Sequence, residues 1–250
     1  MCQEDWNLHL AAKENRLDIA RALIARGDDF DTRDKDGRTP LYWAVQETSL
    51  DVVRLLIEHG VDVNGSIRKK MWRWDLYPLQ VATWDNSLDL VRLLIEHGAD
   101  LNRVDPRSLD HGKNRTPLLH ALDRRSFDVA RFLIEHGADI NMRNRGGTPL
   151  HVAISQHAHE LVQLLIDRGA EVGARTSSNE TSLHSAAEKN FVCGAQLLIE
   201  HGADVDASSI YGHRPLHFAV FNKSHDVVRL LVEHGANSDG IDLAGIRRYG

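Results

Sequence analysis

The chain has 250 residues, with 30 Lys and Arg against 36 Asp and Glu and a formal net charge of −6, which argues against a globally basic nucleic-acid binder. Cys2 and Cys193 are the two cysteines and lie far apart, so a disulfide framework is not expected and a reducing compartment is. The first residues carry no apolar signal-peptide core and no window is apolar enough to span a bilayer. The location expected is therefore intracellular, cytoplasmic or nuclear, with no membrane partner.

Seven similar segments follow in chain order. Residues 4–30 open at Trp6-Asn7-Leu8-His9 and close on Gly27, and residues 31–63 open at Thr39-Pro40-Leu41-Tyr42 and close with Leu55-Leu56-Ile57-Glu58-His59-Gly60. Residues 64–101 open at Tyr77-Pro78-Leu79-Gln80 and end on Gly98; residues 102–140 open at Thr116-Pro117-Leu118-Leu119 and end on Gly137. Residues 141–172 run from Thr148-Pro149-Leu150-His151 to Gly169, and residues 173–205 from Thr181-Ser182-Leu183-His184 to Gly202. Residues 206–238 contain Arg214-Pro215-Leu216-His217 and Gly235, and residues 239–250 form a partial finger or tail. The closing glycines are 33, 38, 39, 32, 33 and 33 residues apart. A period in this range is the mark of one supersecondary unit stacked on itself.

The fifth segment shows why each unit folds. Pro149 suits a first helical turn, where its missing N–H is no loss. Leu150, Ala153 and Ile154 fall on one face of a short helix. After a break at His157, Leu161, Leu164 and Leu165 give a second helix its buried stripe, and Gly169 ends it where positive φ is required. An extended link starts at Val172. Helix, turn, helix and hairpin with a T-P-L-H opening resemble the ankyrin repeat family, over nearly the whole chain. The resemblance implies an all-α fold: an α-solenoid of about seven ankyrin repeats, helix-turn-helix units joined by β-hairpin fingers, forming one domain over residues 1–250.

Two repeats depart from the others in their fingers. From finger to helix start, Asp31 to Pro40, Gly173 to Ser182 and Asp206 to Pro215 each take nine residues, whereas Asn64 to Pro78 takes 14 and Asn102 to Pro117 takes 15. Insertions in such stacks map to loops, often on the binding face. Residues 65–77 carry Arg68, Lys69, Lys70 and Arg73 against Asp75, a balance of +3, and hold Trp72 and Trp74. Residues 103–115 carry Arg103, Arg107, Lys113 and Arg115 against Asp105 and Asp110, a balance of +2, so the rest of the chain sums to −11. A basic edge with tryptophans on an acidic body favours an acidic or phosphorylated protein partner.

Helical spacing places a second set of residues on the open concave side of the first helices. In repeats 2 to 4 these include Trp43, Trp84, Asp85, His120, Asp123 and Arg124, with Phe218, Phe221 and Tyr211 added by repeat 7. The resemblance implies that partners engage finger tips and this inner helix face. The reading is a scaffold or adaptor whose partner-binding residues are Arg68, Lys69, Lys70, Trp72, Arg73, Trp74 and Arg115 on the fingers, together with the six on the inner face. The alternative is an enzyme or small-molecule-binding protein with an aromatic and acidic pocket at the same place. Nucleic acid comes third, since Trp72 and Trp74 among basic residues suit base stacking while the acidic body opposes it.

No catalytic, metal or cofactor residue is assigned. Phosphate loops, dinucleotide fingerprints, nucleophile elbows and metalloprotease helices are absent from the sequence. Most of the 15 histidines occupy repeated slots. His59, His97, His136, His201 and His234 sit at E-H-G helix ends, suited to the C-terminal dipole. By resemblance, the T-P-L-H histidines His9, His151, His184 and His217 bond neighbouring backbone and link repeats. Cys193-Gly194 replaces the Asp-Val pair that opens second helices elsewhere. That predicts a lost N-cap, a buried filler thiol and a soft sixth repeat, stabilised by restoring Asp and Val.

Overall fold

A computed structural model of the protein describes residues 6–65, 67–68, 75–104 and 116–241, with residues 67–68 and 75–76 by backbone alone. The described residues form 14 helices and one two-stranded sheet. Two compact units divide the chain, residues 1–138 and 139–250.

Unit 1 contains four helix pairs: α1 (Leu8–Lys13) with α2 (Leu17–Ala25), α3 (Pro40–Gln46) with α4 (Leu50–Glu58), α5 (Pro78–Trp84) with α6 (Leu88–Glu96), and α7 (Pro117–Asp123) with α8 (Phe127–Glu135). Unit 2 contains three: α9 (Pro149–Ser155) with α10 (His159–Asp167), α11 (Ser182–Glu188) with α12 (Val192–Glu200), and α13 (Pro215–Phe221) with α14 (His225–Glu233). Within each unit consecutive pairs pack, first helix on first helix and second on second. The 38- and 39-residue spacings leave the helices unchanged, since α3, α5, α7 and α9 all have seven residues and α4, α6, α8 and α10 all have nine. The extra length lies in the fingers. At the base of the first long finger, β1 (Ile67–Arg68) pairs antiparallel with β2 (Asp75–Leu76). Residues 105–115, most of the second long finger, lie outside the described residues.

Each first helix starts on an extended residue followed, in all but α1 and α11, by Pro. Thr39 and Thr116 accept the N–H of Tyr42 and Leu119 on their hydroxyls, which satisfies donors that a helix start leaves orphaned. A fully buried alanine (Ala44, Ala82, Ala121, Ala153, Ala186, Ala219) accepts the N–H that opens the second helix. Only a side chain this small lets the two helices approach so closely.

The link between helices always uses one left-handed residue: Asn15, Thr48, Asn86, Arg125, His157, Asn190 and Lys223, with φ between 51° and 59°. Asparagine tolerates this region and a β-branched residue does not. Thr48 is exposed and carries the least suitable side chain of the seven. The variant Thr48→Asn is expected to gain about 1 kcal/mol, read as a higher denaturation midpoint at unchanged slope; no gain would show that Thr48 is not strained.

Polar staples join consecutive repeats. Asn64 accepts the N–H of Asp100 at 2.8 Å and donates to the Gly98 carbonyl at 2.9 Å. Asn141 accepts from Glu171 N–H at 2.9 Å, and Asp206 from Asn237 N–H at 3.0 Å. Each E-H-G histidine bonds through Nδ1 to the carbonyl four residues back, at 2.8–2.9 Å, closing an orphan carbonyl of the helix end.

Repeat 6 corrects two expectations. The N-cap position of four second helices holds Ser49, Ser87, Ser126 or Ser224, without a side-chain capping bond, while Asp51, Asp89, Asp128 and Asp226 sit in the first turn. Cys193 therefore replaces a dipole-stabilising acid and not a cap, and it is exposed where a buried filler is expected. The cap position in repeat 6 holds Phe191, buried and stacked on His157 at 4.8 Å. A Cβ on Gly194 would overlap the Phe191 ring and lie 2.8 Å from Ile154 Cδ1. Glycine is thus the complement of Phe191, which fills the space the valine occupies in other repeats.

Candidate functional site

The six inner-face candidates all belong to unit 1. Trp43 is half-buried and fixed on several sides. Its indole N–H donates to Asp34 Oδ2 at 3.0 Å, the Arg38 guanidinium lies 4.8 Å from its ring centre, and Lys13 Nζ lies 5.4 Å from it. Asp34 also accepts the N–H groups of Asp36 and Arg38, closing the finger turn of repeat 2. Burial opposes ionisation of Asp34, but the Arg38 and Asp36 N–H groups and the Trp43 indole together hold its carboxyl below the usual range.

A polar chain then crosses from repeat 2 to repeat 3. Tyr42 donates through its hydroxyl to Gln46 Oε1 at 3.0 Å, and Gln46 Nε2 donates to Asp85 Oδ2 at 3.2 Å. Burial pushes the Tyr42 phenol up, and Arg38 opposes that shift.

The second cluster joins repeats 3 and 4. Trp84 packs against the buried His120 ring at 5.5 Å, and the exposed Arg124 guanidinium lies 4.8 Å from the Trp84 ring centre. Asp123 is exposed beside Arg124 at the end of α7. At the base of the fingers, Gln80 accepts Tyr77 N–H and donates to the Arg103 carbonyl, while the Arg103 guanidinium lies 4.9 Å from the Tyr77 ring centre. The two long fingers thus start from one anchored ledge. Lys69, Lys70, Trp72, Arg73, Trp74 and Arg115 lie outside the described residues, and Arg68 is placed by its backbone in β1.

Trp84, His120 and Arg124 are therefore brought together, and Asp85 is tied to Gln46. Trp43 belongs to a separate knot with Asp34, Arg38 and Lys13. Arg38 and Asp34 were missed in the sequence, although the D-x-x-G turn of the finger is a readable signal. Unit 2 carries a different surface. Phe221 is 86 % exposed, and a groove of about 600 Å³ is lined by Glu188, His213, His217, Phe218, Val220 and Phe221. Among the described residues no three metal-ligating side chains converge, and no helix is long and apolar enough to cross a membrane.

Helix pairs with these fingers, caps and staples define a repeat protein. The chain belongs to the ankyrin repeat family: the family model of ankyrin repeats in three copies matches residues 8–105, 101–176 and 160–242. Ankyrin repeat domains are protein–protein interaction modules, and this chain is one. The human ASB11 ankyrin repeat domain is similar at 26% identity and a TM-score of 0.72, over 93% of this chain and 99% of that one. The ankyrin repeat domain of Bcl-3, a member of the IkappaB protein family, is similar at 27% identity and a TM-score of 0.75, over 91% of this chain and 98% of that one. No curated protein matches the chain.

Proposed function

We propose that the protein binds an acidic or phosphorylated segment of a partner protein through the two long fingers and the first helices of repeats 2 to 4. The observation that carries this reading is the pair of aromatic-backed cations on that face. Arg124 on Trp84 and Lys13 on Trp43 are exposed, and among the described residues neither makes an ion pair. A guanidinium stacked on an indole keeps its hydrogen-bonding edge for a carboxylate or phosphate, and the stacking limits the side-chain entropy lost on binding. Arg68, Lys69, Lys70, Arg73 and Arg115 extend the positive charge along the fingers, where Trp72 and Trp74 supply aromatic anchors. Asp85 and Asp123 repel a uniformly acidic chain at the helix face. They fix the register by requiring a neutral or basic partner residue opposite them.

Selection from a displayed library containing acidic, phosphorylated, neutral and basic peptides tests the reading. Enrichment of peptides with an acidic or phosphorylated group next to a neutral or basic residue is the expected outcome. Enrichment of basic or purely apolar peptides would overturn it.

A further inference from the structure

The slot after T-P-L is filled by titratable histidine at every repeat of unit 2 and mostly by other residues in unit 1. Unit 2 has His151, His184 and His217; unit 1 has His9, Tyr42, Gln80 and Leu119. The side chain in this slot works at two places at once. His151 Nδ1 accepts the Thr148 N–H at 3.2 Å and lies 3.0 Å from the Thr148 hydroxyl, while Nε2 bonds the Glu180 carbonyl of the next repeat at 3.3 Å. His184 repeats the pattern, with Thr181 N–H at 3.0 Å on Nδ1 and the His213 carbonyl at 3.1 Å on Nε2. In His217, Nδ1 accepts the Arg214 N–H at 3.1 Å.

This wiring fixes one neutral tautomer. Nδ1 must carry a lone pair, because a backbone N–H points at it, so the ring proton sits on Nε2 and is given to the next repeat. A second proton has to go on Nδ1. There it meets the N–H that it would otherwise accept, so a helix-capping bond is lost at a buried site and two donors face each other. We propose that residues 139–241 form an acid-labile stack, in which protonation of His151 and His184 on Nδ1 breaks the bond by which each ring caps its own first helix.

The surroundings oppose that proton. Burial lowers His151 to about 4, with Arg143 and His184 adding repulsion that the carbonyls of Glu180 and Ala174 offset only in part. Burial likewise lowers His184, Arg175 adds to it, and Asp204 and the His213 and Ala207 carbonyls pull the other way. His217 is lowered by burial, Arg214 and His213. A Cβ on Gly147 would lie 2.6 Å from His151 Cγ, so glycine is what lets the finger pass this close to the ring. A group held below its unfolded value stabilises the fold in full only above that unfolded value, near 6.5. The contribution is lost as pH falls from there toward 4.

Gln80 provides the control within the same chain. It accepts the Tyr77 N–H on Oε1 and donates through Nε2 to the Arg103 carbonyl, both bonds of the slot without a titrating atom. Acid should therefore spare a stack whose slots hold glutamine.

Amide hydrogen exchange of residues 139–241 at neutral pH and near pH 5, corrected for intrinsic rates, reads the opening directly. From His151 alone the open-to-closed ratio is expected to rise on the order of 20-fold. The double variant His151→Gln, His184→Gln should lose most of that rise. Equal acid loss of protection in wild type and variant would overturn the proposal. If the variant does not fold, an NMR titration of wild-type His151 decides instead. A titration midpoint well below that of an exposed histidine supports the device, and one near 6.5 sinks it.

Discussion

Replacing Gly194 by valine is expected to destabilise the protein by about 2 kcal/mol, although valine or leucine is the residue at that position in repeats 2 to 5 and 7. The Cβ it introduces would overlap the Phe191 ring and crowd Ile154, and both neighbours are held inside a packed layer. Phe191→Ser alone leaves a void where a buried aromatic stood and should cost about 3 kcal/mol. The pair of changes together recreates the Ser-and-valine arrangement seen at Ser49 with Val52, both fully buried. The double variant should therefore cost only about 2 kcal/mol where the two single effects sum to about 5, a coupling of about 3 kcal/mol in a denaturation cycle. Additive single effects would mean that Phe191 and Gly194 are not complements. Any softness of repeat 6 resides in this exchange and in the missing first-turn acid, and restoring valine alone makes it worse.

Charge reversal at Arg68, Lys69, Lys70 and Arg73 is expected to weaken binding of a selected acidic peptide about 100-fold and to flatten its salt dependence. The driving feature is a balance of +5 on two fingers within a chain of −6. Trp84→Ala removes the surface on which Arg124 rests, so it should act mainly by faster dissociation. Arg54→Glu, on the exposed side of α4, is the proper control. Arg92 is not, because its guanidinium lies 4.6 Å from the Phe132 ring centre and its loss would disturb packing between repeats 3 and 4. Titration of one peptide at two salt concentrations separates these cases. Unchanged affinity in the four-fold reversal would place the site elsewhere.

The features legible in the sequence are those fixed by local chemistry. Pro40, Pro117 and Pro149 sit at helix starts, and Gly60 and Gly169 take positive φ at helix ends, as their covalent geometry demands. The insertion arithmetic places the extra residues in fingers because helix lengths cannot change without breaking the stack. What escaped depends on contacts across positions. Whether Gly194 is a defect or a fit is decided by Phe191, three residues away, and by Ile154 in the preceding repeat. Whether Trp43 is a free anchor or part of a knot is decided by the turn that brings Asp34 and Arg38 onto it. The exposed first-turn position of Cys193 follows from the helix starting one residue after Phe191, a boundary that spacing alone does not fix.

The central claim is tested most directly by the exchange footprint of a bound acidic or phosphorylated peptide. Protection is expected in residues 65–85 and 103–124, which hold the two long fingers, Trp84, His120 and Arg124, with the outer helices α4 and α6 unchanged. Protection confined to residues 50–58, 88–96 or 139–241 would contradict the account.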